Sequence, residues 1–444
     1  THENPYTGLR YAEDPTLVAF ELKNEDSAFW ALSWVRDSVP AFWAEVRSQY
    51  ADFLEKKYGS TTALRKAWTL QGHASALRPG ETLEDATVEI FEMFGWHEEE
   101  TPEQVAMRPR KSDQTRFLYG KQKSFYERSL AYLREIGCGQ AIAGSNWRGH
   151  SYSTRFVLEL DSRMGFVDQH DYFDHPQGGW RTDVAVQHNR SMLKDPAGGL
   201  LGNLAPRQVV NRPYTVSEWN IGSWNEHVLE APFTLVPYGL LQGWDGLIHF
   251  VLLPRATVDE RTALPPSFFS VGQNPSVALQ YPTLARMWHR GDVRESEPVF
   301  VRRISAEDLH HPGAIPSRYM PEAFMLTYGE EVPEGDEYGH LLAAVGKVGN
   351  EFVDKPAPHL EKEGIAPFLD REARTARSIT GELTWNWGDG YVVIDTPRTQ
   401  AVGGYAGGAS VETADARFEI STPYGAVLIT SADHAAPIAR SDRI

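Results

Sequence analysis

Apolar positions in the first two thirds of the chain form short runs of strand length, separated by segments with helical spacing. One run, at residues 16–22, predicts a short strand that ends at Asn24-Glu25. Further runs at residues 140–147, 164–168, 216–218 and 244–251 predict later strands. Strands that alternate with helices are typical of a parallel sheet or barrel.

Helical spacing is clearest at residues 40–58 and 113–136. Pro40 stands at the start of the first of these segments and Gly59 directly after it, an arrangement that favours a helix between them. Ser60 or Thr61 can cap a short helix that follows. We therefore expect residues from about 27 to 112 to form a largely helical excursion from the sheet.

The pattern changes near residue 296, after which short alternating strands and turns replace the helical spacing. Residues 383–394 alternate on both sides of a Gly-Asp-Gly turn, which predicts a β-hairpin. The sequence thus predicts two domains, residues 1–296 with alternating strands and helices and residues 297–444 as an all-β sandwich.

The net charge of -17 argues against a nucleic-acid partner, because binding to nucleic acids depends on neutralising phosphates. Cys138 is the only cysteine, so no internal disulfide can form, and no Cys/His spacing indicates structural zinc. No run of about 18 apolar residues predicts a membrane-spanning helix.

Two glutamates, Glu25 and Glu218, follow predicted strands, where barrel and open-sheet enzymes hold their catalytic groups. Enzymes that hydrolyse a glycosidic bond with retention of configuration use a pair of carboxyl groups about 5–5.5 Å apart. Glu21 is the alternative carboxylate near the first strand, and we expect it to be buried and structural.

These strand ends resemble those of retaining glycoside hydrolases of clan A, the (β/α)8 or TIM-barrel clan of cellulases, mannanases and thermophilic β-galactosidases. Asn24-Glu25 resembles the end of the fourth barrel strand, where the acid/base glutamate follows asparagine. Ser217-Glu218 resembles the end of the seventh strand, which carries the nucleophile. The resemblance covers residues 1 to about 295.

The resemblance implies a β-glycoside hydrolase that acts on an oligo- or polysaccharide by double displacement, without cofactor or metal. Asn24 would bind the sugar's 2-hydroxyl, and Trp244 stands where the eighth strand of the clan places a tryptophan under the sugar. The full set of implied substrate-binding residues is Asn24, Asn146, Trp147, His170, Tyr172, Trp219 and Trp244.

Only strands four to eight of such a barrel can be assigned in this chain. We therefore expect an N-terminal segment or a partner chain to complete the barrel, because an incomplete sheet leaves backbone groups unpaired at its edges.

Two other functions fit the same sequence. A carbohydrate-binding or scaffold protein could keep the barrel without catalysis. A metal-dependent hydrolase could instead use the cluster of His170, Asp171, Asp174 and His175, since histidine and aspartate are common metal ligands.

Overall fold

The computed structural model describes residues 2–30, 32–92, 101–147, 151–179, 186–195, 199–222, 224–252, 267–270, 272, 274–310, 337–434 and 436–444. The chain divides into two compact units. Unit 1 contains Thr1–Asp168, Ile304–Ser317 and Phe352–Ala357, and unit 2 contains Gln169–Arg303, Arg318–Glu351 and Pro358–Ile444. The division at residue 296 stays a prediction about domains.

The helices of the described residues, in chain order, are α1 (Leu32–Ser38), α2 (Pro40–Tyr58), α3 (Thr61–Ala67), α4 (Pro102–Ala106), α5 (Arg108–Glu135), α6 (Ser151–Asp161), α7 (Leu200–Leu204), α8 (Glu230–Gln242), α9 (Pro275–Ala278), α10 (Tyr281–Arg290), α11 (Ala306–Leu309) and α12 (Glu337–Val345). None of them is long and apolar enough to cross a membrane.

The strands are β1 (Ala19–Glu21), β2 (Ala141–Ala143), β3 (Val167–Phe173), β4 (Tyr214–Ile221), β5 (Gly246–Leu247), β6 (Pro298–Ser305), β7 (Lys347–Val353), β8 (Leu360–Glu361), β9 (Leu369–Asp370), β10 (Thr375–Arg377), β11 (Leu383–Asn386), β12 (Tyr391–Asp395), β13 (Thr399–Gly404), β14 (Ser410–Glu412), β15 (Arg417–Glu419) and β16 (Gly425–Thr430).

The predicted helix ends in unit 1 are confirmed. Pro40 begins α2, and Gly59 ends it in the left-handed conformation with φ 79°, which glycine adopts without a Cβ clash. The side chain of Ser60 caps α3 by accepting a hydrogen bond from the Ala63 amide. The second predicted helix is longer than expected, since α5 begins at Arg108.

Unit 1 has a core of apolar side chains from its helices, in which Tyr50, Trp68 and Phe117 are buried. The carboxylate of Asp113, on α5, is buried beside them and accepts a hydrogen bond from Trp68 Nε1 at 2.8 Å. Strands β1 and β2 pair in parallel, with Ala19 opposite Ala141.

Unit 2 contains a three-stranded sheet in the order β3-β4-β5, in which β4 and β5 run parallel. Strand β4 is therefore central, and the side chains of Tyr214, Val216 and Ile221 on it are fully buried. Strand β5 is shorter than the run predicted at residues 244–251, although backbone hydrogen bonds continue its pairing, from Ile248 N to Val216 O and from Phe250 N to Trp219 O.

The carboxyl-terminal part of unit 2 is a six-stranded antiparallel sheet in the order β16-β13-β12-β11-β10-β9. The hairpin predicted at residues 383–394 is confirmed as β11 and β12, with Leu383 opposite Ile394. Strands β14 and β15 form a separate antiparallel pair. The sandwich and the (β/α)8 barrel stay predictions, since the described strands do not close a barrel.

Candidate active-site residues at two sets of strand ends

In unit 1, the ends of β1 and β2 carry Glu25 and Asn146 side by side. Backbone hydrogen bonds continue the parallel pairing beyond the strands, from Lys23 N to Gly144 O at 3.2 Å and from Glu25 N to Ser145 O at 3.1 Å. The Glu25 amide also donates to Oδ1 of Asn146 at 3.0 Å. The structure thus brings Glu25 and Asn146, two residues that the sequence analysis singled out separately, together at one sheet edge.

Both residues have left-handed backbone conformations, with φ 42° at Glu25 and φ 47° at Asn146. Such conformations cost free energy in residues other than glycine and are concentrated at functional sites. Asn146 is buried and its Oδ1 holds the backbone of Glu25, whereas its Nδ2 has no hydrogen-bond partner among the described residues, so its role in binding substrate stays a prediction. Glu25 is half-buried and Asn24 is exposed.

Two tryptophans lie next to these strand ends in the sequence. The rings of Trp30 and Trp147 meet edge to face, with centroids 4.9 Å apart. Both side chains are half-buried, so each keeps part of its ring in contact with solvent. Trp147 therefore remains suited to bind a sugar ring, and Trp30 is a neighbour that the sequence did not single out.

In unit 2, the carboxylate of Glu218 is held by side chains of the neighbouring strand. The Tyr172 hydroxyl donates to Oε2 of Glu218 at 2.5 Å, and Nδ1 of His170 lies 3.6 Å from the same oxygen. Nε2 of His170 is 2.9 Å from Oγ of Ser217. Glu218 exposes 22% of its side chain, so its carboxylate is both oriented and accessible to a ligand.

The Tyr172 ring that holds Glu218 is itself surrounded by aromatic side chains. Its nearest ring neighbour is Phe269, at a centroid distance of 5.1 Å and edge to face. The ring centroids of His175, Phe250 and Phe268 lie between 5.8 and 6.5 Å from that of Tyr172. This packing limits the motion of the phenol and makes the surroundings of Tyr172 largely apolar.

Behind Glu218, the next two residues of β4 contact His249. The Trp219 ring stacks on the imidazole with centroids 4.0 Å apart. Nε2 of His249 lies 3.0 Å from Oδ1 of Asn220, whose Nδ2 donates to the Phe250 carbonyl at 3.0 Å. Because Oδ1 of Asn220 only accepts, Nε2 of His249 must carry a proton, and Nδ1 accepts from the Tyr281 hydroxyl.

Burial lowers the pKa of His249 to about 3, so the ring is neutral near pH 7. Trp219 is only 1% exposed and supports the site from behind, which corrects the prediction that it binds substrate. His170 is also buried, at 5% exposure, so it positions Ser217 and Glu218 and has little surface for a sugar.

The structure places Trp244 away from Glu218, contrary to prediction. Gly246 is paired with Thr215, so Trp244 lies at the amino end of these strands, where its ring contacts Tyr214 at 5.6 Å. Glu218 is four residues beyond Tyr214 on β4, which corresponds to a rise of about 13 Å along the strand. Trp244 is 4% exposed and belongs to the core, because the strand is shorter and begins later than its apolar run indicated.

One residue of the cluster proposed as a metal site, Asp174, holds neighbouring loops through hydrogen bonds. Asp174, directly after β3, accepts hydrogen bonds from the His188 and Asn189 amides at 3.1 and 3.0 Å and from Nδ2 of Asn225 at 2.8 Å. This carboxylate therefore fixes loop backbone, and it adopts a φ of 58° to do so. The His175 ring meets the Tyr172 ring edge to face, with centroids 5.8 Å apart.

Several residues around Glu218 were not predicted, namely Phe250, Phe268, Phe269, His249 and Tyr281. The one sequence signal for them was the aromatic pair at residues 268–269, bounded by serines. Phe268 and Phe269 lie beside the end of β5, where the Val251 amide donates to the Phe269 carbonyl. Local sequence patterns do not encode such a contact between separate segments.

Glu21 does not behave as predicted either. Its side chain is exposed rather than buried, although it lies on β1.

Comparison with known proteins gives little further information. No family model and no curated protein matches the sequence. A solved structure described as the structural analysis of an exo-β-agarase matches with a TM-score of 0.31 and 12% sequence identity. The match covers 52% of this chain and 29% of that one. Likeness at this level establishes neither a family nor an activity.

Proposed function

We propose that the protein is a retaining glycoside hydrolase that cleaves β-glycosidic bonds of an oligo- or polysaccharide. The observation that carries the proposal is the carboxylate of Glu218, which the Tyr172 hydroxyl holds at 2.5 Å and which remains partly exposed. A carboxylate that is fixed in orientation and open to a ligand is suited to attack an anomeric carbon.

In the proposed first step, a carboxylate oxygen of Glu218 forms a bond to the anomeric carbon as the glycosidic C–O bond breaks. The leaving oxygen takes a proton from Glu25, the proposed acid/base residue. The Tyr172 hydroxyl, by engaging Oε2, keeps the plane of the Glu218 carboxylate fixed, so less orientational freedom is lost in the transition state.

In the second step, water attacks the same carbon and the ester bond to Glu218 breaks. Glu25, now ionised, accepts the proton from the water. The anomeric configuration is inverted twice and so retained, and no cofactor takes part. The role of Glu25 rests on its position after β1 in the sequence and on the backbone contact with Asn146.

Hydrolysis of aryl β-glucosides, β-galactosides and β-mannosides, followed by proton NMR of the first sugar released, tests this proposal. We expect a β-configured product from at least one substrate. Sugar binding without hydrolysis by the folded protein would favour the carbohydrate-binding alternative. An α-configured first product would indicate inversion and contradict the nucleophilic role of Glu218.

A further inference from the structure

A carboxyl group is buried directly beneath the strand end that carries Asn146. Asp161, the last residue of α6, is 1% exposed, and its Oδ1 accepts a hydrogen bond from the Tyr126 hydroxyl at 2.9 Å. Gly144 passes so close that a Cβ there would lie 2.0 Å from the same oxygen. The carboxyl therefore sets how near the end of β2 can come to α5 and α6.

Hydrogen bonds extend from this carboxyl to the segment after Glu25. Nε2 of Gln122 donates to the Tyr126 hydroxyl at 3.2 Å. Oε1 of Gln122 accepts from the amide of Ala28, three residues beyond Glu25, at 2.9 Å. Gln122 and Tyr126 are both 4% exposed, so water does not readily replace these bonds.

We propose that Asp161 is a positioning residue that acts through Tyr126 and Gln122 to fix the two strand ends that carry Glu25 and Asn146. The inference rests on the proposed function, because only there is Glu25 a catalytic residue. Asp161 lies directly against the end of β2 at Gly144. It is linked to the segment after β1, at Ala28, only through Tyr126 and Gln122.

The protonation state of Asp161 then controls how firmly these ends are held. The pKa of Asp161 is raised to about 7, chiefly by burial and to a smaller extent by the nearby Asp168, although the Tyr126 hydroxyl and the Ser145 backbone act to lower it. The titratable groups that face it are thus Tyr126, from α5, and Asp168, from β3. Neither is a cation, so ionisation places a poorly compensated charge in the interior and favours local opening that exposes the carboxylate to water.

Amide hydrogen exchange of residues 22–30 and 141–147, measured by mass spectrometry, tests this without any substrate. We expect Tyr126→Phe to accelerate exchange in both segments on the order of tenfold, because it removes the hydroxyl that joins Gln122 to Asp161. Tyr132→Phe is the matched control, since Tyr132 lies on the same helix but is 59% exposed. Unchanged exchange in folded Tyr126→Phe would overturn the proposal.

A second variant tests the role of the charge. After correction for intrinsic exchange, the wild-type protein should lose protection in both segments as pH rises from 6 to 8. Asp161→Asn keeps an acceptor oxygen and cannot ionise, so it should retain protection throughout. Equal pH dependence in wild type and Asp161→Asn would contradict a role for the Asp161 charge.

These measurements separate the inference from the proposed function. If exchange responds as expected but no glycoside is hydrolysed, the proposed function fails, whereas the hydrogen-bonded chain from Asp161 to Ala28 is supported. If glycosides are hydrolysed, Asp161→Asn should extend the alkaline limb of the kcat profile with little change in KM. An unchanged alkaline limb would show that Asp161 does not act on Glu25.

Discussion

Glu25 and Glu218 are held in different ways. In unit 1 the backbone of Glu25 is fixed, by the Asn146 side chain and the Ser145 carbonyl, and its φ is 42°. In unit 2 the carboxylate of Glu218 itself is fixed, by the Tyr172 hydroxyl. A nucleophile benefits from one orientation, whereas an acid/base group must give and take a proton at two successive stages. The contacts described for each residue are consistent with the role proposed for it.

Substitution of the nucleophile should have the largest effect. Glu218→Gln is expected to reduce kcat on the order of 10⁴-fold or more, because no covalent intermediate can form. Circular dichroism should show an unchanged fold. Glu226→Gln, an exposed glutamate in the same unit, is the matched control and should retain activity. Full activity in Glu218→Gln would remove Glu218 from the mechanism.

Loss of the acid/base group should have a smaller effect that depends on the substrate. Glu25→Gln is expected to lower kcat/KM by about 10²- to 10⁴-fold for a sugar leaving group. The loss should be much smaller for a nitrophenyl leaving group, which departs without a proton. Glu21→Gln is the control on the same strand. An equal loss with both leaving groups would assign Glu25 a role other than proton donor.

Removal of the hydroxyl that holds Glu218 should reduce kcat roughly 10- to 100-fold, which corresponds to the usual free-energy contribution of a hydrogen bond to a charged group. The variant is Tyr172→Phe, which keeps the aromatic ring and its packing. Steady-state kinetics would give kcat and KM of Tyr172→Phe, with Tyr132→Phe measured in parallel as the control. A change confined to KM would indicate that Tyr172 contacts the substrate and does not position Glu218.

A buried carboxyl in each unit should make stability depend on pH. Burial raises the pKa of Asp161, in unit 1, and of Glu230, in unit 2, to about 7. Between about pH 4 and 7 the folded protein keeps protons that the unfolded chain has released, so the free energy of unfolding falls as pH rises. This loss is nearly complete by about pH 8, one unit above the pKa in the folded protein.

The Asp161→Asn variant should lack the part of the fall in the free energy of unfolding that is due to the Asp161 carboxyl in unit 1. At pH 4 the variant should match the wild-type free energy of unfolding, and at pH 8 it should be more stable by on the order of 3 kcal/mol. Urea unfolding at the two pH values measures both quantities. A pH-independent difference would show that Asp161 is not protonated in the folded protein at neutral pH. The decline from Glu230 should remain in the variant.

Local signals predicted the ends of two helices in unit 1 and one hairpin, whereas α6 and α12 were not predicted. Pro40, Gly59 and Ser60 begin, end or cap helices through their own backbone and side-chain chemistry. The helix ends can therefore be predicted from these residues and their neighbours in the sequence. The hairpin at residues 383–394 is equally local. Such features need no knowledge of the rest of the chain.

The candidate sites were only partly predictable. Glu25 and Glu218 were predicted because each stands at the end of an apolar run. His170 and Tyr172 were predicted because they follow the apolar run at residues 164–168. The misassignment of Trp244 arose because an apolar run does not tell which of its residues pair; the register with Thr215 decides that. Asp161 was missed because its burial depends on Tyr126 and Gly144, which are distant in the sequence.

Covalent trapping of the nucleophile tests the central claim most directly. The protein would be incubated with 2-deoxy-2-fluoro-β-glycosyl fluorides of gluco, galacto and manno configuration, then digested and sequenced by mass spectrometry. We predict that one reagent inactivates the enzyme and that the sugar is attached to Glu218. A label on another carboxylate, while Glu218 remains unmodified, would contradict the account.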